Sequence, residues 1–157
     1  MKNINEIISQ APVFINDWTH EVDVISDFEG IYLTNKEYTA AESPYPNTVA
    51  WLERKERMNE AIDNYKDVKM LFASYGNANY SGDGWVLFEK DGELFEVHGG
   101  HCSCYGLEDQ WEPEVILSEE LENRLLNGTF GEDNWSDNNF KEDLCEFLGV
   151  EFKKNRL

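Results

Sequence analysis

Basic residues are scarce in this chain. Lys and Arg number 13 against 32 Asp and Glu in 157 residues, a formal net charge of −19. Nucleic-acid binding draws on clustered Lys and Arg that displace counterions from phosphates, so this balance argues against a direct nucleic-acid partner. Cysteine is also rare, at three residues. Two of them are separated by a single residue, which makes a poor disulfide framework and favours a reducing compartment. No apolar run is long enough to span a bilayer, and Met1-Lys-Asn-Ile-Asn-Glu-Ile-Ile-Ser lacks the apolar centre of a signal peptide. The expectation is a cytoplasmic protein with no membrane partner. There is no internal repeat and no linker, so one domain is expected over residues 1–157. A phosphate-cradling loop is excluded too. Gly82-Asp83-Gly84 lacks the lysine of a P-loop and precedes a strand pattern, so no helix N-terminus follows for an anion.

What is present is a chain that folds: 41% hydrophobic and 13% aromatic. The clearest element is a hairpin. Trp85-Val-Leu-Phe-Glu-Lys and Glu93-Leu-Phe-Glu-Val-His, rich in β-branched and aromatic residues, flank Asp91-Gly92, a dipeptide that accepts the positive φ of a tight turn. Trp85, Leu87 and Glu89 share one face and Val86 and Phe88 the other. Val68–Tyr75 reads as a third strand, joined to the hairpin by a Gly/Asn/Ser-rich loop over 76–84, which gives a three-stranded antiparallel meander. A helix is expected from an N-cap at Asn47 or Thr48 to about Tyr65, with Leu52, Met58, Ala61, Ile62 and Tyr65 inward and Trp51 on the border. Ser118 caps a second helix with Leu121, Leu125 and Leu126 inward, ended by Asn127-Gly128. A third runs over about Asp137–Leu148 with Gly149 as its stop. Towards the N-terminus, Asn5–Ser9 suggests a short helix, while Val13–Ile15, Val22–Ile25 and Gly30–Thr34 suggest short strands. The fold class is therefore α+β: an antiparallel sheet with helices packed on one face.

The acids are unevenly placed. Residues 76–146 carry 18 acids and 3 bases. Within them, Trp111 lies among Glu108, Asp109, Glu112 and Glu114, and Glu119 and Glu120 follow in the first turn of the second helix. A rigid aromatic with charges at its rim is a pattern suited to a protein interface, while the commoner arrangement is a buried Trp that covers the end of the sheet. These seven residues are the candidate partner-binding set. The acids do not follow the spacing of a calcium loop.

A second constellation is His98, His101, Cys102 and Cys104, which carries the residue types of a zinc site or of a thiol nucleophile with its base. Cys-x-Cys is tighter than the usual zinc-knuckle spacing, and surrounding carboxylates oppose a thiolate. The bland reading, two small residues on one strand face, is preferred, and no cofactor is expected.

The run His101-Cys-Ser-Cys-Tyr-Gly-Leu-Glu108, followed by Gln110-Trp-Glu-Pro-Glu114, resembles the signature of a family of small, uncharacterised phage- and prophage-encoded proteins. Leu71–Tyr80 and the Trp85–Val97 hairpin resemble the same family, so the likeness spans roughly positions 70 to 135. The resemblance implies a phage-like origin and assigns no residue roles. Together with the acidity it suggests an anti-defence protein of the anti-CRISPR or anti-restriction type. Such a protein would bind a basic, nucleic-acid-acting host enzyme through negative charge. The alternative is a small metal-binding or Cys/His-dependent enzyme using the His98–Cys104 cluster.

Overall fold

The computed structural model describes every residue except Ser103, Cys104, Asn134 and Leu157. Five strands form one mixed sheet in the order β1 (Val13–Asn16), β2 (Lys69–Ala78), β3 (Ser81–Lys90), β4 (Glu93–His101) and β5 (Glu114–Val115). β1 runs parallel to β2, and all other neighbours are antiparallel. The α+β class and the central meander agree with the sequence reading.

The helices lie on both faces of the sheet, not on one. Strand side chains alternate between faces, and both sets here are apolar. Val86, Phe88 and Val97 pack with α2 (Glu21–Glu29) and α4 (Thr48–Asn64) through Val22, Phe28, Trp51 and Met58. Trp85, Leu87 and Leu94 pack instead with α1 (Ile4–Ser9), α5 (Ser118–Asn127) and α6 (Lys141–Leu148), through Ile7, Leu121, Leu125 and Leu144. A bulge between Met70 and Phe72 puts two consecutive residues, Leu71 and Phe72, into this second core. The short α3 (Asn35–Tyr38) carries a capping box, Thr34 with Glu37.

Local departures from the sequence reading have local causes. Val22–Ile25 is helical: the His20 ring accepts the Val22 N–H as N-cap, and Gly30 closes α2 in the left-handed conformation at φ 62°. Gly30–Thr34 is accordingly a connection and not a strand. In α4 the inward stripe is Trp51, Met58 and Ala61, while Leu52 is exposed. α5 begins at Ser118 with Leu117 as an N-cap that makes no side-chain hydrogen bond, so Ser118 is not the cap. α6 starts at Lys141, later than expected.

Candidate functional site

The 76–84 stretch is a second hairpin and not a loop. β2 and β3 continue to Asn79-Tyr80, whose φ values of 53° and 60° make a tight turn. Glycines give this end of the meander unusual room. A Cβ on Gly82 would lie 2.1 Å from Nε2 of His101, so only glycine lets that imidazole cross β3 to reach the Tyr75 hydroxyl. A depression lies on each face of the sheet at this end.

On the α5–α6 side a cavity of about 610 Å³ is walled by Trp85, Phe130 and Phe140, with Asp83, His98 and Arg124 at its polar edge. That volume lies in the range of small-ligand sites. Nε2 of His98 is 2.6 Å from Oδ1 of Asp83, whose Oδ2 accepts from the Asn138 amide at 3.1 Å. Asn138 Oδ1 in turn accepts from the Ser74 hydroxyl at 2.6 Å, and Asn16 donates to Ser74 Oγ at 2.8 Å. Ser74 and Asn138 are fully buried, so this polar chain is stable only because each member is satisfied. The hydrogen bond to Asp83 raises the His98 pKa, burial works against it, and the charges of Asp83 and Glu96 reinforce it. Beside this pair, Arg124 donates two hydrogen bonds to Glu96, at 2.9 and 3.0 Å, and Trp85 Nε1 donates a third. Burial alone would raise the Glu96 pKa; the bonds from Arg124 and Trp85 outweigh it and hold the carboxyl below its ordinary range.

On the α2–α4 side a recess of about 490 Å³ is lined by Asp27, Tyr32, Tyr75, Tyr80, His101 and Tyr105. Tyr32, Tyr80 and Tyr105 are 66%, 86% and 61% exposed. Asp27 accepts a hydrogen bond from Trp18 Nε1 at 2.7 Å. Burial raises its pKa, the Trp18 bond lowers it, and the charges of Asp23 and Glu108 raise it further. Burial also carries the Tyr75 phenol well above its ordinary value, with Asp27, Asp17 and Glu108 adding to the shift.

The structure separates the His/Cys constellation. His98 lies opposite Trp85 on the α5–α6 face, whereas His101 turns to Tyr75 on the other. The two imidazoles cannot share a metal ion, and Cys104 lies outside the described residues. Among the described residues no group of three His, Cys, Asp or Glu side chains is placed to hold a metal. Cys102 is exposed at the rim of the recess.

Trp111 is no exposed anchor. Half-buried, it stacks on Phe88 at 5.5 Å between ring centroids and meets Phe28 and Tyr65 edge-on at 5.1 and 5.0 Å. Glu108 is engaged internally: it accepts from the Tyr32 hydroxyl, the main cause of its lowered pKa, and from the Gly106 N–H at 3.0 Å, which adds to the shift. Asp109, Glu112, Glu114, Glu119 and Glu120 are exposed. Glu112 and Glu114 lie at and beside the β5 edge, Glu114 in register with Glu96, and Glu119 and Glu120 open α5. Among the described residues Glu120 pairs with Arg124 at 3.0 Å, while Asp109, Glu112, Glu114 and Glu119 have no cation within ion-pair distance. The exposed tyrosines were missed in the sequence, although Tyr80 beside Asn79 and Tyr105 between Cys104 and Gly106 were visible as aromatics next to turn-formers.

No described helix is long and apolar enough to cross a membrane. Comparison with protein-family models, curated proteins and solved structures finds no match.

Proposed function

We propose that this chain is an acidic binding protein of phage-like origin. It would inhibit a host nucleic-acid-acting defence enzyme, of the CRISPR-effector or restriction type, by occupying a basic surface that otherwise holds phosphates. The observation that carries this reading is the uncompensated acid on the exposed surface: Asp109, Glu112, Glu114 and Glu119 have no cationic partner among the described residues. Carboxylates left unpaired on a protein of net charge −19 favour encounter with a positive surface and oppose association with phosphate.

The test is inhibition of DNA cleavage by a panel of purified CRISPR effectors and restriction endonucleases, measured over a range of salt. Inhibition of one enzyme, weakened as salt rises and lost in Glu112→Lys/Glu114→Lys, is the expected result. Both residues are exposed, so thermal melting of the variant should match the parent. Inhibition that is indifferent to salt and to charge reversal would remove this reading.

A second reading is favoured by the cavity beside Asp83 and His98, whose aromatic wall suits a small planar ligand. Asp83 would orient His98 for proton transfer there, without the cysteines. A ligand screen followed by His98 resonances would decide it; absence of any shift at His98 would exclude it.

A further inference from the structure

The recess on the α2–α4 side combines three features that the acidic-surface reading does not use. Its rim is built of exposed tyrosines, whose large, rigid, amphipathic rings dominate protein interfaces at low entropic cost. Two of these, Tyr32 and Tyr80, occupy left-handed backbone at φ 59° and 60°, a conformation unfavourable for a bulky residue. Tyr80 gains little from packing against the described residues, being 86% exposed. Finally, a carboxylate stands in the recess. Among the described residues Asp27 has one side-chain hydrogen bond, from Trp18 to Oδ2, and no ion pair, and Glu108 and Asp17 add negative charge around Tyr75.

We propose that this recess receives an arginine side chain of the basic partner protein, its guanidinium stacked on the tyrosine rings and paired with the Asp27 carboxylate. The proposal rests on the reading above that the partner is basic, and it names where the partner's anchoring residue goes. A cation over aromatic faces is attracted by the ring quadrupole, and the attraction grows where water is displaced. Arginine fits better than lysine. Its planar fork can bond a carboxylate and lie flat on a ring at once, and it sheds water more readily than an ammonium. The acidic edge at Glu112 and Glu114 is a different place. It flanks the half of β4 nearest the Asp91-Gly92 turn, whereas the recess lies at the opposite end of the meander.

The experiment is an NMR titration of the isotope-labelled full chain with acetyl-Gly-Arg-Gly-amide and with its lysine counterpart. Parallel titrations use Tyr80→Ala/Tyr105→Ala and Asp27→Asn, with melting curves to confirm that the variants fold. The arginine peptide should shift resonances of Tyr80, His101, Cys102 and Tyr105 and bind about fivefold tighter than the lysine peptide. The tyrosine double variant should lose about tenfold in affinity for the arginine peptide. Equal binding of both peptides, with shifts gathered at Glu112, Glu114 and Glu119, would overturn the recess and leave the basic-partner reading standing. No shift from either peptide would also overturn it. So would inhibition of a target enzyme that survives the tyrosine changes but is lost on charge reversal at Glu112 and Glu114. Absence of any inhibited enzyme would instead count against the broader reading, whatever the peptides do.

Discussion

The two ends of the β2–β3–β4 meander solve one geometrical problem with different residues. Both are tight hairpin turns with two positive φ angles, 53° and 60° at Asn79-Tyr80 and 53° and 82° at Asp91-Gly92. At Asp91-Gly92 a glycine takes the second position, where it is cheapest, and Glu89 accepts its N–H at 2.7 Å. At Asn79-Tyr80 a fully displayed tyrosine holds that position, and Asn79 ties the turn to the Trp135 carbonyl at 2.7 Å. The first end reads as a turn optimised for folding. The other keeps strain, buried polar chains and open depressions together, the combination expected where structure is spent on binding.

Substitutions should separate the two ends. The largest effect is expected at Gly76, where a Cβ would lie 2.5–2.6 Å from backbone atoms of Ser136, Asp137 and Asn138. Gly76→Ala should cost about 3 kcal/mol in chemical denaturation, because backbone cannot yield as a side-chain tip can. A loss below about 1 kcal/mol would mean that the 135–139 segment is not seated against β2 as described. Asn138→Ala comes next. It strips a partner from the fully buried Ser74 and another from the half-buried Asp83, and a loss of about 2 kcal/mol is expected. An unchanged denaturation midpoint would show that the chain of hydrogen bonds is dispensable.

The turns themselves should respond in opposite directions. Gly92→Ala meets no neighbouring atom, yet its φ of 82° should make the change cost about 1 kcal/mol. Tyr80→Gly should stabilise the protein by about 0.5 kcal/mol, relief of backbone strain being partly cancelled by the entropy of glycine. A destabilised Tyr80→Gly would reveal that the ring supports the fold. The smallest effect concerns pH. Because the folded-state pKa of His98 is raised, its pairing with Asp83 contributes fully below the ordinary value of 6.5 and is lost as pH climbs through the folded value. The side chain is 66% exposed, so after solvent screening the contribution should be about 0.3 kcal/mol. Stability of the parent measured against His98→Gln across that window should show the difference shrinking with rising pH.

Much of this architecture was legible from sequence where one local rule dominated. Asp91-Gly92 announced its turn, and the alternation on either side separated the residues of the two faces, although helices were expected on only one of them. Asn47 announced the start of α4 by its side chain, which accepts the Ala50 N–H at 3.2 Å. The harder parts involved competing rules. Val22-Asp-Val-Ile has strand-like composition, yet a cap at His20 and a left-handed glycine at 30 make it helix. Tyr80 conceals a turn because that backbone geometry is advertised by glycine and asparagine, not by aromatics. His98 and His101 look adjacent in the chain, but β4 continues through both and their odd spacing sends them to opposite faces. Trp111 among acids allowed two readings, an interface anchor or a ring that covers the end of the sheet, and its packing on Phe28, Tyr65 and Phe88 decides for the second.

The parallel pairing of β1 with β2 also sets an order for the chain's assembly. The meander forms from neighbours in sequence, which close quickly, whereas Val13 must find Phe72 across the whole segment that holds α2, α3 and α4. The Lys2 N–H, bonded to the Leu148 carbonyl at 2.8 Å, joins regions still further apart. Folding should therefore begin in β2–β4 and finish when the N-terminal arm docks. The same arm should open first in native-state hydrogen exchange, while amides at the centre of β3 exchange only on global unfolding.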